Sequence, residues 1–555
     1  MHRTTRDPPE PTLEAREARE ARELDRWDFA VCAALALAYL TLLLSTVHDL
    51  GYARDEGFYF QAARSYESWF ELLRSDFSRA MEPAIVDRYW SANHEHPALM
   101  KSLFALSHRY LFTGLQLFRE QGTAYRFPGM VVSTLGVLVT YLWGARESGR
   151  LAGVVGALSL SLMPRVFYNS HLACFDMPVT AMLVLTSYAF ARSLVGGWGW
   201  SLATGIIYGL LLDTKHNAWL LPAAFGVHFL LTRGSSVIPE LRAKRWPVPH
   251  AFLAMLLLSP LVFYAAWPWI WHDTLPRLRD YANFHLQHEY YNMAFLGQTY
   301  WKPPMPRLYA WVMTLGTVPG VTLSLFVIGL VVCFWGRLSS PLRLPSTPLL
   351  WLLCLSVCYA PWWSSNTPIF GGTKHWMTAY PFLCLFAGRG FAFVAARITA
   401  LWPAKSWTRA LQPAVAVAVL LGPLCMTLHS TPWGLSFYTP LVGGAPGAAS
   451  LGLNRTFWGY TTGALQGEIN LRAPERGYVF VHDTALASWE MLRVDHRVRS
   501  DLRGGLSIPA SSLALLHYEP HMRRVEYQTW VDYGHDAPAA IKTYDGVPIV
   551  WLYER

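Results

Sequence analysis

The stretch Asp28–Val47 reads DFAVCAALALAYLTLLLSTV, with its single charge at the first position. A helix needs about 20 predominantly apolar residues to cross the hydrocarbon of a bilayer, and this run meets that requirement. A charged leader precedes it and no small-residue cleavage site follows, so the run predicts an uncleaved first span and not a signal peptide. Pro413–Leu428 (PAVAVAVLLGPLCMTL) is a second such run. Further runs at roughly 127–145, 150–164, 176–194, 201–213, 217–232, 252–271, 310–335, 347–362 and 374–392 bring the expectation to about eleven transmembrane helices. Two of these, 150–164 and 201–213, are short for a span, which predicts tilted or broken helices packed against neighbours. The fold class expected is therefore a polytopic α-helical membrane protein.

Charge placement agrees. Charged residues make up 15% of the chain, against about 25% in soluble domains. The net charge of +9 sits in alternate short connections: Arg146/Arg150, Arg192, Arg233 through Arg245, Arg337/Arg343 and Arg389 through Arg409. That is the distribution of cytoplasmic loops and excludes nucleic acid as the partner. It predicts a cytoplasmic N-terminus and a C-terminal segment on the far side. The seven cysteines (32, 174, 333, 354, 358, 384, 425) lie in or beside apolar runs, leaving none to staple the exported tail. Cys354 and Cys358, at i and i+4, suit either a metal pair or core packing.

Three regions follow. Residues 1–27 form a charged leader with an ARE repeat, 28–430 the transmembrane domain, and 431–555 a tail. Loop 48–126 contains RDEGFYFQAARSYESWFELL and HPALMKSLFALSHRYLF, whose apolar spacing predicts amphipathic helices lying on or in the membrane interface. Loop 272–309 is rich in His, Tyr and Trp. The tail alternates short β-branched and aromatic runs (GYVFVHDTA, YEPHMRRVEYQTW, VPIVWLYER) with helical stretches, which predicts a small external α/β domain.

Ionisable groups at span ends are expensive in hydrocarbon and therefore candidates for function. On the predicted external side these include Asp55, Glu56, Asp87, His94, Glu95, His96, Arg126, Arg165, His171, Asp176, Lys215, His216, Lys374 and His375. Asp55 and Glu56 suit a general base or a divalent-cation ligand, or equally a helix start favoured by the dipole. His94-Glu95-His96-Pro97 is either a metal and substrate cluster, with Glu95 and His94 the ligands, or a structural loop. Asp176-Met177-Pro178 is either a pocket carboxylate or an N-terminal cap. Lys215-His216 and Lys374-His375 interrupt apolar runs, as snorkelling pairs or as phosphate binders, and Arg165 is a third phosphate candidate.

The order of these motifs resembles a known family. DEGFY after the first span, HEHPALMK, the span RFPGMVVSTLGVLVTYLWG, FDMPVTAMLVL, GLLLDTKHNAWLLP and GGTKHWMTAYPFL follow the order of the GT-C glycosyltransferases. These include the protein O-mannosyltransferases and the lipid A aminoarabinose transferase group. The resemblance covers roughly 28–430, and LSFYTPLVGG…NRTFWGY extends it into the tail. It implies that Asp55 is the family's first-loop acidic residue, the catalytic base or the group that orients the acceptor, with Glu56 completing that motif. It also implies that Glu95 contacts metal or substrate, and that Asp176 and Lys215 line the pocket. His96 and Ala98 stand where the aminoarabinose transferases have Lys and Pro, which argues against aminoarabinose transfer.

The chemistry implied is inverting transfer of a hexosyl or pentosyl unit from a polyprenyl-phosphate sugar to a hydroxyl of a protein, lipid A or glycan. It would take place at the external face of a bacterial inner membrane, with a divalent cation as a candidate cofactor. The competing expectation is a transporter or flippase of lipid-linked glycans, which would carry midplane charges and internal repeats.

Overall fold

The computed structural model describes residues 22–244, 246–291, 293–335, 346–369, 371–402, 408–519 and 523–555. Most of the leader lies outside the described residues, as do Arg245, Arg337 and Arg343 of the basic loops. Each apolar run is helical, from Arg26–Thr46 through Gln121–Ser148 and Asp176–Ser193 to Tyr380–Ala400 and Thr408–Ser430. Among the described residues, four helices are long and apolar enough to cross a membrane. Two further candidates are bent pairs: Arg150–Ser161 with Pro164–Ser170 turns by 74°, and Tyr309–Thr317 with Gly320–Phe334 by 116°. Both breaks have the same cause. Met163 and Val318 are extended ahead of Pro164 and Pro319, since a residue before proline avoids the helical region.

The helices close on one another through small residues. A Cβ on Gly329 would strike the Phe386 carbonyl, and one on Gly390 the Leu325 carbonyl. The first span begins at an Asp25 cap, and the buried Asp28 is paired with Arg22 at 2.7 Å and Arg150 at 3.1 Å, with the Tyr141 hydroxyl at 3.0 Å.

The amphipathic helix of the first loop, Arg54–Ser75, departs from expectation. Tyr59, Phe60, Tyr66 and Trp69 are buried, and Tyr66 packs on Trp90 with ring centroids 3.9 Å apart. Gly57 lies so close to Ser488 that a Cβ would come within 2.6 Å of its hydroxyl. The apolar face is thus covered by protein, because helix Leu99–Ser107 and the tail helix Leu486–Val494 occupy the side expected to face lipid.

The second loop holds helix Thr274–Leu286 and a hairpin of β1 (Met293–Phe295) and β2 (Gln298–Tyr300). The tail folds as α/β, although YEPHMRRVEYQTW is from Arg523 onward part of helix Arg523–Tyr533 and not a strand. Strands β3 (Tyr478–Val481), β4 (Arg503–Gly505), β5 (Leu513–His517), β6 (Ala540–Tyr544) and β7 (Val547–Glu554) form one sheet in the order β4-β3-β5-β7-β6. β3 runs parallel to β4 and β5, and β7 antiparallel to β5 and β6. Central β5 is buried along its whole length, which accounts for its continuous apolar run LALL.

The sheet unit is stitched to the start of the first loop. Asp495 accepts hydrogen bonds from the backbone of Gln121 (2.8 Å) and Gly122 (3.1 Å) and from the Tyr52 hydroxyl. Arg497 donates to the Leu50 carbonyl at 2.7 Å, and Ser488 to that of Ala53 at 2.9 Å. This docking positions Asp55.

Candidate active site

Asp55 and Glu56 occupy the first turn of helix Arg54–Ser75 but face different surroundings, because adjacent positions on a helix point about 100° apart. Glu56 turns inward. Its Oε1 accepts from Arg126 Nε at 2.7 Å and Ala173 N at 3.0 Å, and its Oε2 from Arg126 Nη2 at 2.8 Å and Ala53 N at 2.9 Å. Glu56 and Arg126 are both fully buried, and Arg126 also donates to the carbonyls of Val47, Leu50 and Gly51. This carboxylate is saturated, and its work is to cap the helix and hold Arg126.

Asp55 stays open, its side chain 20% exposed. One oxygen lies 3.4 Å from Lys374 Nζ, the other 3.4 Å from Arg54 Nε. Arg54 in turn grips Asp483 of the tail at 2.6 Å. The Lys374 ammonium stands 3.6 Å over the Trp458 ring, where the π face supports a desolvated cation. Burial pushes the Asp55 carboxyl up, but Lys374 and Arg54 more than offset this and hold it below the usual carboxylate range.

A second pair lies alongside. Asp176, buried at the start of helix Asp176–Ser193, binds Lys215 at 2.6 Å. Lys215 adds to the field stabilising the Asp55 carboxylate, and Asp176 is within electrostatic reach of Lys374. Acid and base alternate, so the two carboxylates and two lysines form one electrostatic group.

Arg165, 2% exposed, lies near the Lys374 loop, with Nη1 3.5 Å from where a Gly372 Cβ would stand. Its guanidinium rests on Tyr438 and Phe457. It makes one long hydrogen bond, 3.3 Å to the Phe437 carbonyl, and its Nε has no hydrogen-bond partner. A buried guanidinium with donors to spare suits phosphate oxygens.

Residues 108–264 match the family model described as dolichyl-phosphate-mannose-protein mannosyltransferase. That match covers less than half of the chain. It takes in Arg126, Arg165, Asp176, Lys215 and His216, while Asp55, Glu95 and Lys374 lie outside it. No curated protein matches the chain. Among solved structures, ArnT from Cupriavidus metallidurans bound to undecaprenyl phosphate is similar at 16% identity and a TM-score of 0.46, over 94% of this chain and 97% of that one. The Archaeoglobus fulgidus oligosaccharyltransferase tethered with an acceptor peptide containing the NVT sequon is similar at 12% identity and a TM-score of 0.49, over 92% and 71%. The same oligosaccharyltransferase complexed with Zn and sulfate gives 12% and 0.47.

The histidines divide. His96 joins His216 and the second-loop His285 in an aromatic stack: His216 and His285 centroids are 3.9 Å apart, His96 and His285 5.5 Å. Burial holds His96 and His216 well below the usual imidazole range, so both rings are neutral. His375 turns its ring to Trp362, 4.8 Å away. His171 is spent in packing, bonded to Thr46 Oγ1 and to the Phe167 carbonyl, each at 2.8 Å. Asp87 pairs with Arg277 at 2.6 Å.

His94 stacks on Trp269 and its Nδ1 bonds the Ser91 carbonyl, while Glu95 accepts from Asn93 at 2.7 Å. Among the described residues no three His, Cys, Asp or Glu side chains converge as metal ligands. The donor set at His94 and Glu95 does not fit a metal centre, and no step is derived through one. Glu95 keeps a place near the site, its charge reaching Tyr59 together with those of Asp55 and Asp176.

Four contributors escaped the sequence reading: Arg54, His285, Trp458 and Asp483. Arg54 adjoins the acidic pair, and Trp458 and Asp483 lie in NRTFWGY and VHDTA, stretches noted for other reasons.

Proposed function

We propose that this protein is a membrane glycosyltransferase, moving a sugar from a polyprenyl-phosphate donor to an acceptor hydroxyl on the external face. The observation that carries the reading is the Asp55 carboxylate, partly open and held between Lys374 and Arg54 beside the Asp176–Lys215 pair. The segment matched by the mannosyltransferase family model supports the donor class, and the apolar helices supply the lipid contact a polyprenyl tail needs. In this reading 28–430 is the catalytic membrane domain, the N-terminus is cytoplasmic and 431–555 is external, at a bacterial inner membrane.

Asp55 accepts the acceptor's hydroxyl proton as that oxygen bonds to the anomeric carbon. The bond from the anomeric carbon to the phosphate oxygen breaks on the opposite side, giving inversion. Its electron pair leaves on the phosphate, met by Lys215, Lys374 and Arg165, cations already fixed before charge develops. His96 and His216, being neutral, suit sugar hydroxyls better than phosphate. Glu56 supports the site through Arg126 and does not touch the reacting atoms.

The test is transfer from radiolabelled polyprenyl-phosphate sugars by the purified full chain. Asp55→Asn should lower kcat by roughly 10²–10⁴-fold with insertion intact. An Asp55→Asn protein at wild-type rate, or a wild type that moves lipid-linked glycan across vesicles without transferring sugar, overturns the proposal.

A further inference from the structure

A recess on the tail holds polar groups that the proposed chemistry does not use. It is a partly open recess lined by His482, His517, Tyr518, Glu519, Arg523 and Trp551. It sits at the carboxyl ends of the adjacent parallel strands β3 and β5, which end in His482-Asp483 and His517-Tyr518-Glu519. Side chains at the carboxyl ends of parallel strands are free of the ladder and converge, which is why α/β sheets bind ligands there.

Two features mark it as a binding site and not a packing defect. His482 is 7% exposed and neither ring nitrogen has a hydrogen-bond partner; His517 is 3% exposed, bonded through Nδ1 to Thr461 but with Nε2 unsatisfied. Buried polar atoms without partners are costly and rare, and three line one recess. The second feature is an aromatic wall. Tyr518 and Trp551 lie with centroids 5.2 Å apart, and Arg455 stands 3.9 Å over Tyr518.

The chemistry of the lining selects the ligand class. Burial holds both imidazoles below their usual range, so they are neutral and each can donate and accept. Burial beside Asp483 pushes Glu519 well above the carboxylate range, which makes it a donor. Neutral groups that both donate and accept, beside an aromatic face, match a polyol with apolar C–H faces. Glu519 also lies within electrostatic reach of Asp483 and Arg54, and Arg54 touches Asp55, so the recess and the proposed base are coupled through Arg54.

We infer that this recess binds a neutral saccharide, the acceptor chain whose hydroxyl Asp55 deprotonates. The acceptor class in this inference rests on the transferase reading; the saccharide site itself does not. Saturation-transfer NMR on the detergent-solubilised full chain, with mannose, galactose and N-acetylglucosamine oligosaccharides as probes, tests it. At least one neutral oligosaccharide should bind saturably. Trp551→Ala and the exposed Arg523→Ala should each weaken it by about tenfold. The exposed Arg523→Ala variant keeps the test decisive if Trp551→Ala misfolds. Absence of binding by any probe, or binding indifferent to Arg523→Ala, overturns the site. Saccharide binding with sugar transferred only to serine peptides overturns the acceptor assignment and leaves the transferase reading standing.

Discussion

At the residue scale, two neighbouring carboxylates behave as opposites. Glu56 is bound on every side and Asp55 is held by two cations at the mouth of the group, so substitution separates structure from chemistry. Glu56→Gln leaves the Arg126 guanidinium buried without its charge partner, a loss of about 3–5 kcal/mol. It should appear as a large fall in Tm by intrinsic fluorescence. Asp55→Asn should leave Tm nearly unchanged while transfer collapses. The pH dependence follows from the same pair. Asp55 has a depressed folded pKa, so its working ionised form is present above that value and is lost only as pH falls through it. The acid limb of kcat/KM should therefore lie below the ordinary aspartate range. Lys374→Gln removes the largest opposing charge and should move that limb to higher pH. A limb that stays fixed would separate Asp55 from the rate.

At the scale of elements, the legible part of the fold was the part governed by local composition. Every uncharged run became a helix, and the two sharp bends fall where Pro164 and Pro319 follow extended residues. In the tail, β3 and β7 were legible from the runs GYVFVHDTA and VPIVWLYER, whereas YEPHMRRVEYQTW had the composition of a strand and is helical from Arg523. What local pattern could not record was pairing. Asp55 and Lys374 are 319 residues apart and Arg54 and Asp483 are 429 apart, so neither contact leaves a periodicity or a spacing to read. The apolar stripe of helix Arg54–Ser75 gave the opposite difficulty: it announces a buried face and says nothing of whether lipid or protein covers it.

The junction between tail and membrane half makes an element-level prediction. Asp495→Ala strips the cap from the backbone of Gln121 and Gly122 and frees the Tyr52 hydroxyl. It should cost about 1–2 kcal/mol, read as earlier thermal unfolding and faster proteolysis near residue 121.

At the scale of the whole molecule, the proposed orientation places the two ends of the site's scaffold on one side of the bilayer. Single cysteines at exposed positions test it. Asp536→Cys in the tail should react with a membrane-impermeant maleimide added outside intact spheroplasts. Ala243→Cys, in a predicted cytoplasmic loop, should react only after lysis. The reverse pattern would invert the topology, and labelling of both from outside would mean an even number of crossings between them.

The stitching of the sheet unit to the first loop also has a temporal consequence. A nascent chain can insert every apolar helix while Asp483, Ser488, Asp495 and Arg497 are still inside the ribosome. Until those residues emerge, helix Gln121–Ser148 lacks its cap and Arg54 lacks its anchor. In the proposed topology the centre is therefore completed last, once the tail has crossed, and a chain that stalls short of it would lack the assembled site at which a lipid-linked sugar could be lost to water.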